Sequence, residues 1–170
     1  MRDGRGVDNP QCDFKGCPES CGLCKEHKSH TALANIVVTN RCDLACFYCF
    51  FYAKAMGYLY EPSLEQIRQM FRVLRSERPI KPNAIQLTGG EPLTRPDLPE
   101  IVRRISPFFK EVSLTTNGTL LAGAAGALRE AGLGRENISL DSVRPATYAR
   151  ITGTRRLDDA VAGVRAAVSA

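Results

Sequence analysis

The sequence predicts an α/β fold built from four strand–helix units in strict alternation. Short apolar runs rich in β-branched residues are each followed by a longer segment with apolar residues at helical spacing. Proline or glycine ends the first and the third of these helical segments. This alternation implies parallel strands joined by right-handed crossovers.

The predicted strands are residues 35–39, 84–88, 111–116 and 137–141, and the helices begin near Ser63, Asp97, Leu120 and Leu157. Gln66 stands three residues after Ser63, as a capping box requires. Asp97 is expected to cap the second helix. Each polar or cysteine motif falls at the end of a strand, where barrel-type α/β folds place their active sites.

Length, composition and charge limit the classes of protein to which the chain can belong. With 170 residues and 44% hydrophobic residues, the chain is the size of one ordinary domain. The net charge of +5 is spread along the chain without a Lys/Arg cluster, so nucleic acid is not an expected partner. Neither a membrane-spanning stretch nor a signal-peptide apolar region is visible. We therefore expect a cytoplasmic protein, with peripheral contact with a membrane left open.

Seven cysteines lie in the first 49 residues, and the odd total argues against a closed disulfide framework. Cys42, Cys46 and Cys49 have the spacing C-x3-C-x2-C directly after the first strand. Three thiolates suit an iron–sulfur cluster, and the missing fourth leaves one iron open to another ligand. The alternative is a structural zinc loop that takes a ligand from elsewhere.

The other four cysteines form a separate group upstream, in residues 1–33. They are predicted to make a closed four-thiolate site for iron, zinc or a cluster, either structural or an electron relay. These residues are Cys12, Cys17, Cys21 and Cys24. His27 and His30 follow closely and are alternative ligands. Residues 34–170 then form the predicted core.

Polar motifs follow the later strands. Gly89-Gly90-Glu91-Pro92 ends the second strand, and its glycines would let backbone approach a ligand closely, although an ordinary turn looks the same. Thr115, Thr116, Asn117 and Gly118 end the third strand, and Ser139 and Asp141 lie on the fourth. Seven of the twelve aromatic residues crowd around the cysteine loop, either as an apolar lining of a site or as ordinary packing.

Together, the three-cysteine loop with Tyr48 before its last cysteine and the later Gly-Gly-Glu-Pro resemble the radical S-adenosylmethionine (SAM) superfamily. The resemblance implies a partial (βα)6 barrel, of which this chain holds the first four units. It also implies a 4Fe–4S cluster on Cys42, Cys46 and Cys49 that reductively cleaves SAM to a 5′-deoxyadenosyl radical, with an electron donor such as ferredoxin or flavodoxin. The residues implied to bind the cofactor are Tyr48, Gly89, Gly90, Glu91, Thr115, Asn117, Ser139 and Asp141. Because the chain ends within its last predicted helix, we expect it to be the N-terminal portion of a longer protein.

Two families within the superfamily are similar to different parts of the chain. Residues 16–24, 27–30, 39–42 and 49–52 resemble the tetraether lipid synthase family, members of which were once assigned to pterin methylation. That resemblance implies radical carbon–carbon coupling of isoprenoid lipid chains, our first expectation. Residues 87–98, 115–118 and 138–142 resemble the molybdenum-cofactor cyclase family, which acts on a guanosine nucleotide. Pterin-modifying or peptide-modifying radical enzymes and a non-enzymatic iron–sulfur electron-transfer module are further alternatives.

Overall fold

A computed structural model describes residues 33–51, 61–76 and 82–170. A four-stranded parallel sheet runs through it in the order β1-β2-β3-β4. Its strands are β1 (Leu33–Thr39), β2 (Ala84–Gly89), β3 (Glu111–Thr116) and β4 (Arg135–Ile138). The predicted order and parallel pairing are therefore confirmed for all four units.

The described helices are α1 (Leu64–Ser76), α2 (Leu98–Ile105), α3 (Ala125–Glu130), α4 (Pro145–Thr152) and α5 (Leu157–Ser169). Short 3-10 turns occupy Pro92–Thr94, Ser106–Phe108 and Leu121–Gly123. None of these helices is long and apolar enough to span a bilayer. The four predicted cysteine ligands in residues 1–33 and both histidines lie outside the described residues.

Three local predictions were wrong or incomplete. The third helix is split into a 3-10 turn and the short α3, because glycine is a poor helix former and Gly123 lies at the break. β4 begins and ends earlier than predicted, so Ser139 and Asp141 follow the strand instead of lying on it. Helix α4 was missed, although it has a proline in its first turn and a left-handed glycine, Gly153, after its last residue.

One helix cap is confirmed and another is wrong. Ser63 Oγ accepts from the Gln66 backbone N–H (3.2 Å), and Gln66 Oε1 accepts from the Ser63 N–H (2.8 Å), which is a capping box. Asp97 precedes α2 but makes no capping hydrogen bond. Its carboxylate instead accepts two bonds from buried Arg95 (2.8 and 2.7 Å), which hold the pKa of Asp97 below its usual value. A charged partner has outcompeted the helix terminus for this carboxylate.

The sheet has two unlike faces. One face packs against the helices through fully buried side chains, among them Val38, Ile85, Leu87 and Leu114. Burial of each such side chain contributes about 1.5 to 3 kcal/mol to folding. Because side chains alternate along a strand, the residues between them point to the opposite side, which we call the inner face. Its members in β1 to β3 include Leu33, Asn35, Val37, Ala84, Gln86, Thr88, Ser113 and Thr115.

Candidate active site

The cysteine loop follows β1 and rests on α4. Cys42, Cys46 and Cys49 are half-buried, with free thiols. The loop's backbone donates to α4 from the N–H of Ala45 (2.8 Å, to the Thr152 carbonyl) and of Phe47 (3.2 Å, to Ile151). The helix that sequence reasoning missed therefore supports the segment that carries all three thiols.

The two glycines that end β2 allow a close backbone approach to this loop. The Gly90 N–H donates to the Thr39 carbonyl (3.0 Å), and the Glu91 N–H donates to the Arg41 carbonyl (2.7 Å). A Cβ on Gly89 would overlap the Thr39 carbonyl oxygen, and one on Gly90 would overlap that of Arg41. Gly89 also has a φ of 148°, a value that L side chains rarely adopt. The glycine pair is thus required to join β2 to the cysteine loop, whatever ligand lies nearby.

Glu91 was predicted to contact the cofactor, and the structure places its carboxylate inside the protein. The side chain is 0% exposed. Its oxygens accept from the backbone N–H of Leu93 (3.0 Å), the hydroxyl of Thr116 (2.8 Å) and the N–H of Asn117 (2.7 Å). Burial raises the pKa of Glu91, while these donors lower it. The carboxylate therefore ties the end of β2 to the end of β3.

A second link, which is partly buried and which sequence reasoning missed, starts at Asp43 between the first two cysteines. Its carboxylate accepts from the Asn117 amide (2.8 Å), the Thr119 hydroxyl (2.6 Å) and the guanidinium of Arg156. Arg156 also donates to Asp159 in the first turn of α5 (2.8 Å). Asp43 thus fixes the cysteine loop to β3 and α5. The only signal in the sequence was its position inside the cysteine motif.

A third link is made by Arg95, whose side chain is 4% exposed. Its guanidinium donates to the carbonyls of Val38 (2.9 Å) and Pro62 (2.7 Å) as well as to Asp97. Arg95 therefore joins the segment after β2 to the end of β1 and to the start of α1. Since a buried arginine can satisfy five donors at once, the planar guanidinium suits this three-way junction.

An open cavity of about 600 Å³ lies above the inner face of the sheet. The three thiols, Gly89 and Gly90 line it together with Asn117. Polar side chains of the inner face and the strand ends complete the wall: Asn35, Gln86, Thr88, Thr115, Thr116 and Ser139. Of the residues predicted to bind the cofactor or the cluster, the structure thus brings together nine around one cavity: Cys42, Cys46, Tyr48, Cys49, Gly89, Gly90, Thr115, Asn117 and Ser139.

Aromatic side chains form one side of this cavity. Tyr48, Phe50 and Phe51 line it, and the rings of Phe50 and Phe51 are 4.2 Å apart. The Tyr48 hydroxyl donates to both carboxylate oxygens of Asp141 (2.8 Å each). Burial and this hydrogen bond raise the pKa of Tyr48. Asp141 therefore holds the cysteine loop against the segment after β4. Of the other four members of the aromatic group, Phe47 is exposed and does not line the cavity, and Tyr52, Tyr58 and Tyr60 lie outside the described residues.

The donor set of the cavity fits an iron–sulfur cluster. Burial raises the pKa of Cys42 to about 11 and raises that of Cys46 as well, so both thiols are protonated until a cation stabilises the thiolate. Among the described residues, no three acidic, cysteine or histidine side chains converge enough for a single metal ion. A cluster does not need that convergence, since each cysteine binds a different iron. Three thiols that line one open cavity therefore fit a cluster with one iron left open to another ligand.

The fold and this cavity define a parallel α/β protein with three cysteines at the carboxyl edge of its sheet. The chain belongs to the Radical SAM superfamily, whose family model matches residues 36–170. Members of this superfamily are enzymes, and the family implies a 4Fe–4S cluster and SAM. Both the predicted fold class and the superfamily are therefore confirmed.

Curated relatives share much of this sequence. The chain is 47% identical over 136 residues to 7,8-dihydro-6-hydroxymethylpterin dimethyltransferase of Methanocaldococcus jannaschii, a match that covers 78% of this chain and 27% of that protein. It is 42% identical over 132 residues to a probable GTP 3′,8-cyclase of Pyrococcus horikoshii, with 78% and 41% covered. The chain thus spans between about a quarter and under a half of the length of these relatives.

Solved structures agree with the fold. Methylornithine synthase superposes with a TM-score of 0.65 at 16% identity, over 82% of this chain and 42% of that one. SuiB of Streptococcus suis, bound to S-adenosylmethionine, superposes with a TM-score of 0.58 at 20% identity, over 75% of this chain and 28% of that one. At these identities the likeness establishes the fold alone.

Proposed function

We propose that this protein reductively cleaves SAM in the cavity beside Cys42, Cys46 and Cys49 and uses the resulting radical on a pterin-class heteroaromatic substrate. The observation that carries the proposal is one cavity lined by three thiols, two glycines and uncharged polar side chains. Once bound, the cluster and SAM supply one-electron cleavage of the sulfonium and hydrogen abstraction by a 5′-deoxyadenosyl radical.

The residues of this chain hold and shield these groups. Cys42, Cys46 and Cys49 give up their protons to bind iron. The backbone at Gly89 and Gly90 offers polar groups to the cavity without side-chain obstruction. The polar ends of β3 and β4, at Thr115, Asn117 and Ser139, are the proposed contacts for the polar atoms of SAM. Glu91 is a positioning residue, because its carboxylate contacts β3 and the following residues.

Exclusion of water is the proposed task of the aromatic side of the cavity. Tyr48, Phe50 and Phe51 line the cavity together with the three thiols and give it apolar surface. The hydrogen bond from Tyr48 to Asp141 keeps this wall in place. Because a radical reacts with whatever reaches it, a wall that restricts access to the site protects the reaction.

The character of the cavity supports an uncharged substrate. Within the described residues, no lysine, arginine, aspartate or glutamate lines it. A triphosphate is usually bound by arginine or lysine. The names of the relatives, a pterin dimethyltransferase and probable GTP 3′,8-cyclases, also support a ring substrate. We therefore place pterin chemistry first and the guanosine nucleotide second. The lipid-coupling reaction that the sequence analysis placed first has no support in these names.

Two further predictions concern a second metal site, which lies outside the described residues, and a partner protein. An additional iron or zinc at Cys12, Cys17, Cys21 and Cys24 stays a prediction. The electron donor, a protein such as ferredoxin or flavodoxin that the cluster needs for each cleavage, also stays a prediction.

The test is anaerobic reconstitution of the full-length protein with iron and sulfide, followed by quantitation of 5′-deoxyadenosine after addition of SAM and dithionite. We expect production in the wild type and loss of it in Cys42→Ala, with Asn83→Ala, an exposed residue outside the cavity, as the matched control. A reduced pterin, GTP and a diether lipid are added in separate reactions. Stimulation by the pterin supports the proposal, stimulation by GTP favours the second candidate, and stimulation by the lipid alone would contradict both.

A further inference from the structure

We propose that Asn35 and Gln86 form an amide pair that recognises the lactam edge of the substrate ring. By lactam edge we mean the adjacent ring carbonyl, ring N–H and exocyclic amino group that pterin and guanine share. The inference rests on the proposed function, because it names the side chains that would select the substrate within the same cavity.

The two amides are neighbours on the inner face of the sheet. Asn35 of β1 pairs in register with Gln86 of β2. Since adjacent strands lie about 4.8 Å apart, their side chains stand side by side. Both line the cavity that holds the three thiols. The pair therefore lies below the cysteine loop, toward the amino end of the sheet.

Their hydrogen-bonding capacity is largely unused within the protein. The side chain of Asn35 is exposed and makes no hydrogen bond to any described residue. Gln86 Nε2 donates to the hydroxyl of Thr115, which fixes its amide and leaves Oε1 to accept from a ligand. Gln86 in turn pairs in register with Ser113, whose hydroxyl donates to the Ile85 carbonyl (3.3 Å). Two acceptor oxygens and three N–H donors thus remain on Asn35 and Gln86, side by side.

This set is complementary to a lactam edge. Asn35 Nδ2 can donate to the ring carbonyl while its Oδ1 accepts from the ring N–H, as in a cyclic amide pair. Gln86 Oε1 can then accept from the exocyclic amino group. Asn35 could also pair with an adenine ring by turning its amide over, because adenine reverses the donor and the acceptor at these two positions. Adenine offers no amino group to Gln86 Oε1, however, and an isoprenoid chain satisfies none of these groups. A ligand that leaves such polar groups unpaired loses affinity.

Residues around the pair do not favour an anion. Val37 and Thr88 lie in the next layer toward the thiols, and neither carries charge. Toward the amino end of the same inner face, Glu111 is already paired with Arg135. The pair is therefore suited to a neutral ring, and phosphates attached to such a ring would have to lie elsewhere.

The experiment measures binding without turnover, on full-length protein carrying the cluster and saturated with SAM but without reductant. Equilibrium dialysis gives the affinities for guanosine, inosine and adenosine, and fluorescence gives that for 6-hydroxymethylpterin. The variants are Asn35→Leu and Gln86→Met, which keep side-chain size and remove the amide. Asn83→Leu, an exposed amide outside the cavity, is the matched control.

We expect Asn35→Leu to weaken the binding of guanosine, inosine and pterin about 10- to 100-fold. Gln86→Met should weaken the binding of guanosine and pterin about tenfold but leave that of inosine and adenosine unchanged, because neither has an amino group at the position that faces Gln86. Whichever of guanosine and pterin the wild type binds more tightly is identified as the class of substrate. The proposal is overturned if the wild type binds neither guanosine nor pterin, or if both variants bind all four ligands like the control. It is also overturned if Gln86→Met weakens the binding of adenosine and guanosine equally. Failure of SAM cleavage in the reductant assay would instead refute the proposed function and leave these affinities standing.

Discussion

Replacement of Glu91 by glutamine tests whether a buried carboxylate positions the end of β3 beside the cysteine loop. One carboxylate oxygen accepts from Leu93 and Thr116, and the other accepts from Asn117. Glutamine has a single acceptor oxygen. In either orientation its NH2 group faces a backbone N–H, so at least one donor loses its partner.

The expected magnitude follows from these contacts. Loss of one hydrogen bond to a charged acceptor costs about 1.5 to 3 kcal/mol, and release of a fully buried charge offsets part of that. We therefore expect Glu91→Gln to lower the free energy of unfolding by about 1 to 3 kcal/mol at pH 7. This corresponds to a change of about 5- to 150-fold in the unfolding equilibrium.

The same variant has a signature in pH. Because burial raises the pKa of Glu91 above its ordinary 4.5, the folded protein binds this proton more tightly than the unfolded chain does. Wild-type stability should therefore fall as pH rises through the window that begins at 4.5 and ends at the raised value. Glutamine does not titrate, so the deficit of Glu91→Gln should shrink with rising pH across that window.

Urea unfolding of iron-free, reduced protein, followed by far-ultraviolet circular dichroism, measures both effects. Glu100→Gln is the matched control, since Glu100 is an exposed residue of α2 that pairs only with surface arginines. It should change stability little. If Glu91→Gln is as stable as the wild type at pH 7, or if its deficit grows with pH, the positioning role assigned to Glu91 is wrong.

Three further changes probe the links around the cavity. Asp43→Asn should destabilise the iron-free protein by about 1 to 2 kcal/mol in urea unfolding, because Arg156 loses its charged partner; an equal loss in Asp159→Asn would contradict this. Gly90→Ala should lower bound iron per chain after reconstitution, because its Cβ would push the cysteine loop away; wild-type iron content would show that the close approach is dispensable. Tyr148→Phe should raise stability by about 1 kcal/mol, because this 1% exposed side chain has a hydroxyl without a partner among the described residues; a fall in the melting temperature would reveal a partner.

Helix and strand types followed well from local patterns, and boundaries less well. The strands of the first three units and the capping box at Ser63 depend on residues adjacent in the chain, so periodicity and spacing reveal them. The capping role expected of Asp97 failed because its competitor Arg95 is buried between two other segments. α4 was missed because its stability depends on a face packed against α5, where Tyr148, Leu157 and Ala160 meet.

Some features of the site could likewise be predicted from the sequence, and others depend on the tertiary structure. The cysteine spacing and the Gly-Gly-Glu-Pro motif were visible, and they led to the superfamily. The orientation of the Glu91 carboxylate was not visible in the sequence, because the hydrogen-bond donors of Leu93, Thr116 and Asn117 determine it. The ion pair between Asp43 and Arg156 joins residues more than a hundred positions apart, and no local pattern reports it.

By itself, the sequence determined the alternating units, the parallel sheet and the radical SAM class, because these depend on periodicity and on ligand types at fixed spacing. Only the tertiary structure decided which polar residues share one cavity. Asn35 and Gln86 are 51 positions apart and look like ordinary strand residues, yet strand pairing in register places them side by side. The register follows from packing of one face of each strand against the helices, a condition on the whole sheet and not on any segment of it.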